Sequence, residues 1–179
     1  MKSIHQLEPH SDLLMINAIK SKKPWKIDRK QLTVIFYDFD GVMTDNRVLQ
    51  FQDGTEAVVV NRADGMGTRL IGMLGIPQFI LSTEKNPVVA ARARKLKLGC
   101  IQGCADKRAA IVKYCEMEGI SLEGVLFVGN DVNDKDGLLV VGYPVCPSDA
   151  SPPILAICPY RLDAKGGDGT IRELADRIR

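Results

Sequence analysis

The chain has 179 residues, enough for one domain with a sizeable core, since a fold of roughly 150 residues already buries about two-thirds of its extended-chain surface. Hydrophobic residues make up 45% and charged residues 26%, which excludes disordered and fibrous classes. A net charge of +2, with bases interspersed among acids, argues against nucleic acid as a partner but leaves phosphate-sized ligands open. The five cysteines, Cys100, Cys104, Cys115, Cys146 and Cys158, are an odd number, and no signal peptide opens the chain. Free thiols in a reducing cytoplasm are expected. Cys100 and Cys104 lack the second pair or His cluster that a zinc site needs, and no apolar run approaches the roughly 20 residues of a membrane helix.

Residues 1–30 read as an extension, a modest helix followed by an exposed linker, ahead of a single domain over 31–179. Apolar runs then recur at Val34 to Phe39, Gln78 to Ser82, Cys100 to Gly103, Val125 to Gly129 and Tyr143 to Cys146, with helix-length segments between them. That alternation predicts an α/β fold with a parallel sheet flanked by helices. Between the first two runs, Arg47 to Phe51 and Glu56 to Val60 flank a turn at Gln52 to Thr55 and predict a projecting β-hairpin. Helices are expected at about 65–74, 87–97, 107–118 and 134–141, where Gly75, Gly99, Gly119 and Gly142 follow as stops, and a last helix over 170–178 follows a glycine-rich loop.

Asp38 and Asp40 emerge together at the end of the first run, in Asp38-Phe39-Asp40-Gly41-Val42-Met43-Thr44. Alternation along a strand places both carboxylates on one face, at the edge where open α/β sheets hold ligands. Oxygen ligands without a nearby His suit Mg²⁺, and a carboxylate beside Mg²⁺ can attack phosphorus. An EF-hand fails, because the fifth position from Asp38 is Val42 and the twelfth is Leu49. Three further groups fall in order at strand or helix ends. Ser82 and Thr83 close the second run, Lys107 follows Asp106 at a helix start, and Gly129-Asn130-Asp131-Val132-Asn133-Asp134 follows the fourth run and adds metal ligands.

Asp-x-Asp-Gly-Val-x-Thr, a strand-ending Ser/Thr, Lys, then Gly-Asn-Asp-x-x-Asp resembles the haloacid dehalogenase superfamily of phosphatases, whose fold is Rossmann-like. The hairpin in place of a cap domain, Asn61 to Gly65, Ser82 to Pro87, Gln102-Gly103 and Gly166 to Gly169 with Arg172-Glu173 are similar to one capless branch. It contains 3-deoxy-D-manno-octulosonate 8-phosphate phosphatases, nonulosonate (sialic-acid type) 9-phosphate phosphatases and the C-terminal domain of some acylneuraminate cytidylyltransferases.

The resemblance implies a Mg²⁺-dependent hydrolase for a sugar acid phosphate. Asp38 would be the nucleophile that forms an aspartyl-phosphate, Asp40 the acid and base, and Lys107 a neutralising cation. Gly41, Thr44, Arg62, Ser82, Thr83 and Arg172 would bind substrate or phosphate, with Arg62 and the tail that ends at Arg172 facing the sugar acid's carboxylate. Asp38, Asp40, Asn130, Asp131 and Asp134 would supply the metal ligands. Asp40 must carry a proton at first, so a pKa raised by Asp38 and Asp134 is expected. The capless branch is tetrameric by resemblance, so residues 46–60 would wall a neighbour's site.

Octulosonate phosphatases usually have Gly-Asp-Asp where this chain has Gly129-Asn130-Asp131, so either an amide or Asp131 supplies that ligand. The Asn form, with Asp45-Asn46-Arg47 and Asn61-Arg62, leans toward a nine-carbon acid. An octulosonate 8-phosphate phosphatase and a non-catalytic tetramerisation module are the alternatives.

Overall fold

The computed structural model describes residue 25 and residues 27–178. The helix expected near the N-terminus lies outside the described residues. Strand β1 (Val34–Tyr37) is buried throughout and sits in mid-sheet. After it come β2 (Val48–Gln50) and β3 (Glu56–Val58), which pair antiparallel as the expected hairpin. Helix α1 (Arg62–Gly72), β4 (Gln78–Leu81), α2 (Pro87–Leu96), β5 (Gly99–Ile101), α3 (Lys107–Glu118) and β6 (Val125–Val128) follow. The chain ends with α4 (Lys135–Val140), β7 (Tyr143–Cys146), α5 (Pro152–Ile157), β8 (Tyr160–Arg161) and α6 (Thr170–Ile178).

Six strands form one parallel sheet in the order β5-β4-β1-β6-β7-β8. Strand order runs outward from β1 in one direction and then resumes on its other side. The crevice at the carboxyl end of β1, between β4 and β6, is therefore a topological switch point. Alternation divides the core: Ile35, Tyr37, Leu126 and Val128 face one layer with Ile71, Val89 and Leu174, while Val34, Phe36, Val125 and Phe127 face the other with Ile111, Leu138 and Ile154. Helices α1, α2 and α6 thus cover one face and α3 to α5 the other. Each fully buried Leu, Ile or Phe among them contributes about 1.5–3 kcal/mol.

Helix α1 starts at Arg62, earlier than expected, because the Asn61 side chain caps it by accepting from the Ala63 N–H at 2.8 Å. Gly99 does not end α2. That helix closes at Lys97, with φ of 59°, and Gly99 opens β5 because the Phe79 ring leaves no room for a Cβ there. Helix α5 and the two-residue β8 had no counterpart in the expected elements. The expected linker is exposed at Asp28, Arg29 and Lys30 but not just before them: Ile27 is buried, and Trp25 packs edge-on to Tyr160 at 5.6 Å with the Arg177 guanidinium 4.7 Å from its ring. Among the described residues no helix is long and apolar enough to cross a membrane.

Candidate active site

Asp38 leaves β1 still in register, its N–H donating to the Val128 carbonyl at 2.9 Å. The chain then winds tightly, because the Phe39 carbonyl accepts from Met43 at 2.8 Å and Thr44 at 3.2 Å. Thr44 sits buried inside that turn. Its hydroxyl donates to Asp40 Oδ1 at 3.1 Å and accepts from the Gly41 and Asn46 N–H groups at 3.3 and 3.2 Å. Gly41 and Thr44, expected to touch phosphate, thus shape the loop and aim the Asp40 carboxylate.

Behind the loop, Lys107 opens α3, whose N-cap Asp106 accepts from the Ala109 N–H at 2.9 Å. Its ammonium is wholly buried, 2.6 Å from Asp38 Oδ1 and 2.5 Å from Asp134 Oδ1. Asp134 uses its other oxygen to accept from the N–H groups of Asn130 at 2.8 Å and Asp131 at 3.2 Å. Both Asp134 oxygens are engaged, so this acid stands behind the site rather than in it.

One ammonium serves two buried carboxylates. Burial pulls the Lys107 ammonium down, but Asp38 and Asp134 outweigh it and hold it above its ordinary value. Burial first, then Asp134, pushes Asp38 up to about 8 against the opposing pull of Lys107. The two shifts share a cause, a surplus negative charge in a dry place, which a cation beside Asp38 would relieve. Asp40 is also raised, by burial first, with Glu84 and Glu56 adding to it and the Thr44 hydrogen bond opposing. The direction is the expected one. The cause differs, because Asp38 and Asp134 were expected to drive it.

The donor set for such a cation is on the same side. The outer end of the Asn130 amide lies 2.9 Å from the Asp40 carbonyl oxygen and 3.3 Å from Asp38 Oδ2. With its nitrogen outward the amide donates to both; with its oxygen outward, three oxygens converge as a hard cation requires. Gly41 makes this approach possible, since with φ of +76° it has no Cβ, and one added there would fall 2.0 Å from the amide. Asp131 turns away to cap the following turn, accepting from the Val132 N–H at 2.7 Å. Among the described residues no three His, Cys, Asp or Glu side chains gather as a metal site. The convergent set is instead one carboxylate, one main-chain carbonyl and one amide.

Asp38, Asp40, Asn130 and Asp131 open on a polar cavity of about 110 Å³ with Ser82 and Thr83 at the end of β4. Asn46 and Asn133 complete its wall and were not expected there. Asn46 has φ of 67°, a conformation Asn tolerates better than most residues. A larger cavity of about 590 Å³ lies at the opposite sheet edge, among Arg69, Lys95 and Lys97. Those cations sit at the carbonyl ends of α1 and α2, where they offset helix dipoles.

A family model for haloacid dehalogenase-like hydrolases matches residues 84–174, half of the chain. The Yersinia pestis 3-deoxy-D-manno-octulosonate 8-phosphate phosphatase KdsC is 30% identical over 82% of this chain and 79% of that protein. The chain belongs to the haloacid dehalogenase-like hydrolases. Among solved structures, a protein of Streptomyces avermitilis MA-4680 assigned to this hydrolase family is 44% identical, with a TM-score of 0.83 over 85% of this chain and 87% of that one. The Moraxella catarrhalis 3-deoxy-D-manno-octulosonate 8-phosphate phosphatase, solved with magnesium, phosphate and KDO, is 26% identical, with a TM-score of 0.81 over 84% of this chain and 87% of that one.

In this hydrolase the two arginines lie apart from the cavity. Arg62 is exposed on the first turn of α1, and Arg172 on α6 pairs with Asp176 at 2.9 Å. Ser82 is buried and its hydroxyl accepts from the Glu84 N–H at 3.1 Å, whereas Thr83 is exposed at the cavity mouth. The hairpin carries apolar side chains into solvent: Val48 is 49%, Leu49 60%, Phe51 54% and Val59 66% exposed.

Proposed function

We propose that this phosphomonoester hydrolase acts on a 2-keto-3-deoxy sugar acid phosphate of the nonulosonate 9-phosphate type, with Asp38 as nucleophile. The observation that carries the reading is the convergence of Asp38, the Asp40 carbonyl and Asn130 beside a buried Lys107. Asp38 attacks phosphorus and takes up the phosphoryl group as an aspartyl-phosphate while the sugar alkoxide leaves. Asp40, aimed by Thr44 and raised in pKa by burial, gives the leaving oxygen its proton and then takes one from the water that releases phosphate. Mg²⁺, held by Asp38, the Asp40 carbonyl and Asn130, would neutralise phosphoryl charge when bound. Lys107 and Asp134 keep Asp38 in place, and Ser82 with Thr83 lines the phosphate's side. Asp131 remains close enough to the cavity to serve by water.

The cavity in one chain is small for a whole sugar acid. We therefore assign the rest of the substrate wall to the exposed apolar hairpin, residues 46–60, of a neighbouring subunit in a homotetramer. Arg62 or Arg172 of this arrangement would meet the sugar carboxylate. Light scattering should give four chains, and a monomer with full activity would remove this assignment. Residues 31–179 form the phosphatase domain in this reading, with 1–30 as an extension, of which Trp25 and Ile27 pack on that domain. Its free cysteines fit a reducing cytoplasm.

A second reading, octulosonate 8-phosphate, is favoured by the Yersinia pestis relative. One hydroxymethyl group is worth only about 1–3 kcal/mol in a pocket, so the two must be compared directly. Phosphate release from both compounds with Mg²⁺ distinguishes them: a higher kcat/KM on the nine-carbon acid supports the first reading, and the reverse order the second. Comparable low rates on both, with strong turnover of an unrelated sugar phosphate, would sink the substrate class.

A further inference from the structure

Asp64 is a carboxylate buried inside α1, and no part of the chemistry just described uses it. Its Oδ1 accepts from the N–H groups of Ile171 at 2.9 Å and Arg172 at 3.2 Å, in the first turn of α6. These are charge-assisted bonds at a helix N-terminus, where unsatisfied donors and the helix dipole both favour an anion. Helices α1 and α6 meet backbone to backbone at the same level, since a Cβ on Gly67 would fall 2.5 Å from the Ile171 carbonyl oxygen. Asp64 Oδ2 is buried without a hydrogen-bond partner, a costly state that a purely structural cap would not need.

The segment just ahead of α6 presses on the loop that carries Asp40. The Gly167 N–H donates to the Val42 carbonyl at 3.0 Å. A Cβ on Gly166 would fall 2.2 Å from the Gly41 carbonyl oxygen, and one on Gly167 2.5 Å from the Asp45 nitrogen. The Gly166 N–H also donates to Asp149 Oδ1 at 2.9 Å, and the neighbouring Ser151 N–H donates to the Asn130 carbonyl at 2.8 Å. The glycines at 166 and 167 are thus a close-fitting bracket behind both the Asp40 loop and Asn130. Thr170 ties the bracket to α6, its hydroxyl donating to the Lys165 carbonyl at 2.8 Å.

We propose that Asp64 is a positioning residue for the Asp38 and Asp40 site, acting by holding the first turn of α6 and, through it, seating Gly166 and Gly167 against the Asp40 loop. The reaction being positioned is the phosphatase reaction proposed above; the mechanical link stands on the contacts alone. Loosening the bracket lets Asp40 and Asn130 drift while Ser82 and Thr83 stay in place at the cavity, and p-nitrophenyl phosphate has no carboxylate for Arg172 to meet. The effect therefore falls on kcat rather than KM.

The test uses the full chain with Mg²⁺ and p-nitrophenyl phosphate, and four variants. Asp64→Ala removes the acceptor, Asp64→Asn keeps one, Gly166→Ala pushes on the loop directly, and Gly119→Ala is a control at the far end of α3, with φ of 65° and no neighbour within 4 Å. Because displacements near 1 Å can cost up to about a hundredfold, kcat is expected to fall roughly tenfold or more in Asp64→Ala and Gly166→Ala, with KM within about twofold. Asp64→Asn should recover most of the loss, and Gly119→Ala should lower Tm while leaving kcat intact. Hydrogen exchange read over residues 39–46 supplies a second measure that needs no turnover, and faster exchange there is expected in Asp64→Ala and Gly166→Ala. Faster exchange confined to residues 170–173 in Asp64→Ala, or an unchanged kcat in a folded Gly166→Ala, overturns the proposal. A wild-type protein that releases no phosphate yet transmits the exchange change to 39–46 keeps the link and removes the phosphatase reading instead.

Discussion

Lys107 Nζ lies 2.6 Å from Asp38 Oδ1, and the lysine side chain has no solvent exposure at all. An ammonium so placed cannot reach out to a ligand as a mobile surface lysine would. It sets the charge and orientation of the carboxylate, and Asp134 on its other side keeps it from following substrate.

Replacing that ammonium leaves two buried carboxylates without a counter-ion. Lys107→Met should cost about 3–5 kcal/mol, because breaking a buried ion pair strands its partner. Denaturant melts check this, and the double variant with Asp134→Asn, which removes one stranded charge and keeps an acceptor for the Asn130 and Asp131 N–H groups, should recover part of the loss. A Lys107→Met protein as stable as wild type would mean that the ion pair is not what holds this region.

Asp40 is assigned the proton transfer, and general acid–base groups contribute roughly a hundredfold to ten-thousandfold. Asp40→Asn should reduce kcat within that range. Thr44→Val, which deletes the hydroxyl that aims Asp40, should show a smaller loss of the same kind. If Thr44→Val instead raises KM alone, Thr44 binds substrate.

Asn130 is a neutral member of the proposed cation set, and charge count tunes affinity for hard cations. Asn130→Asp should lower the half-saturating Mg²⁺ concentration, while Asn130→Leu should raise it by about tenfold or more, at the scale seen when groups around a metal are lost. Asp131→Asn should move it less, because that side chain is occupied in capping a turn. A larger effect at Asp131 than at Asn130 would exchange their roles.

Burial raises the Asp64 carboxyl to about 6, against an opposing pull from its bonds to the Arg172 and Ile171 N–H groups. A folded pKa above the unfolded one means that the native state binds the extra proton. The stability from this group is present below the unfolded value, near 3.8, and is lost as pH rises through about 6. Stability measured relative to Asp64→Asn should therefore decline between about pH 4 and about pH 7, by roughly 3 kcal/mol at most. A difference between the two proteins that is flat across that window contradicts the shift.

Strand positions were legible because buried parallel strands are continuous apolar runs, and Val34–Tyr37 is buried at every residue. Asp38 and Asp40 were legible for the same reason, since they follow such a run at the sheet's switch point. What the sequence could not display is pairing across long separations. Asp64 shows nothing of its role locally, because its partners lie 107 and 108 residues away. Asn61 hid the start of α1 because the Arg-Ala-Asp-Gly that follows contains a helix-weakening glycine, and only the cap geometry reveals where the helix begins. The two-residue β8 is too short for periodicity to register, and α5 opens on Pro152 and Pro153, which read as a break in the chain rather than a helix start. Asn46 and Asn133 stood inside quoted motifs without a role of their own, and only the folding of both loops over one cavity joins them to the site.

Attack on phosphorus by Asp38 is tested most directly by steady-state phosphate release by wild type and Asp38→Asn, side by side with Mg²⁺ and the nine-carbon and eight-carbon acid phosphates. Wild type should release phosphate from at least one of them, and the isosteric amide should lower kcat by at least about a thousandfold, as loss of a nucleophile does elsewhere. A folded Asp38→Asn protein that retains more than about a tenth of wild-type kcat would contradict the assignment, since no nucleophile could be replaced so cheaply.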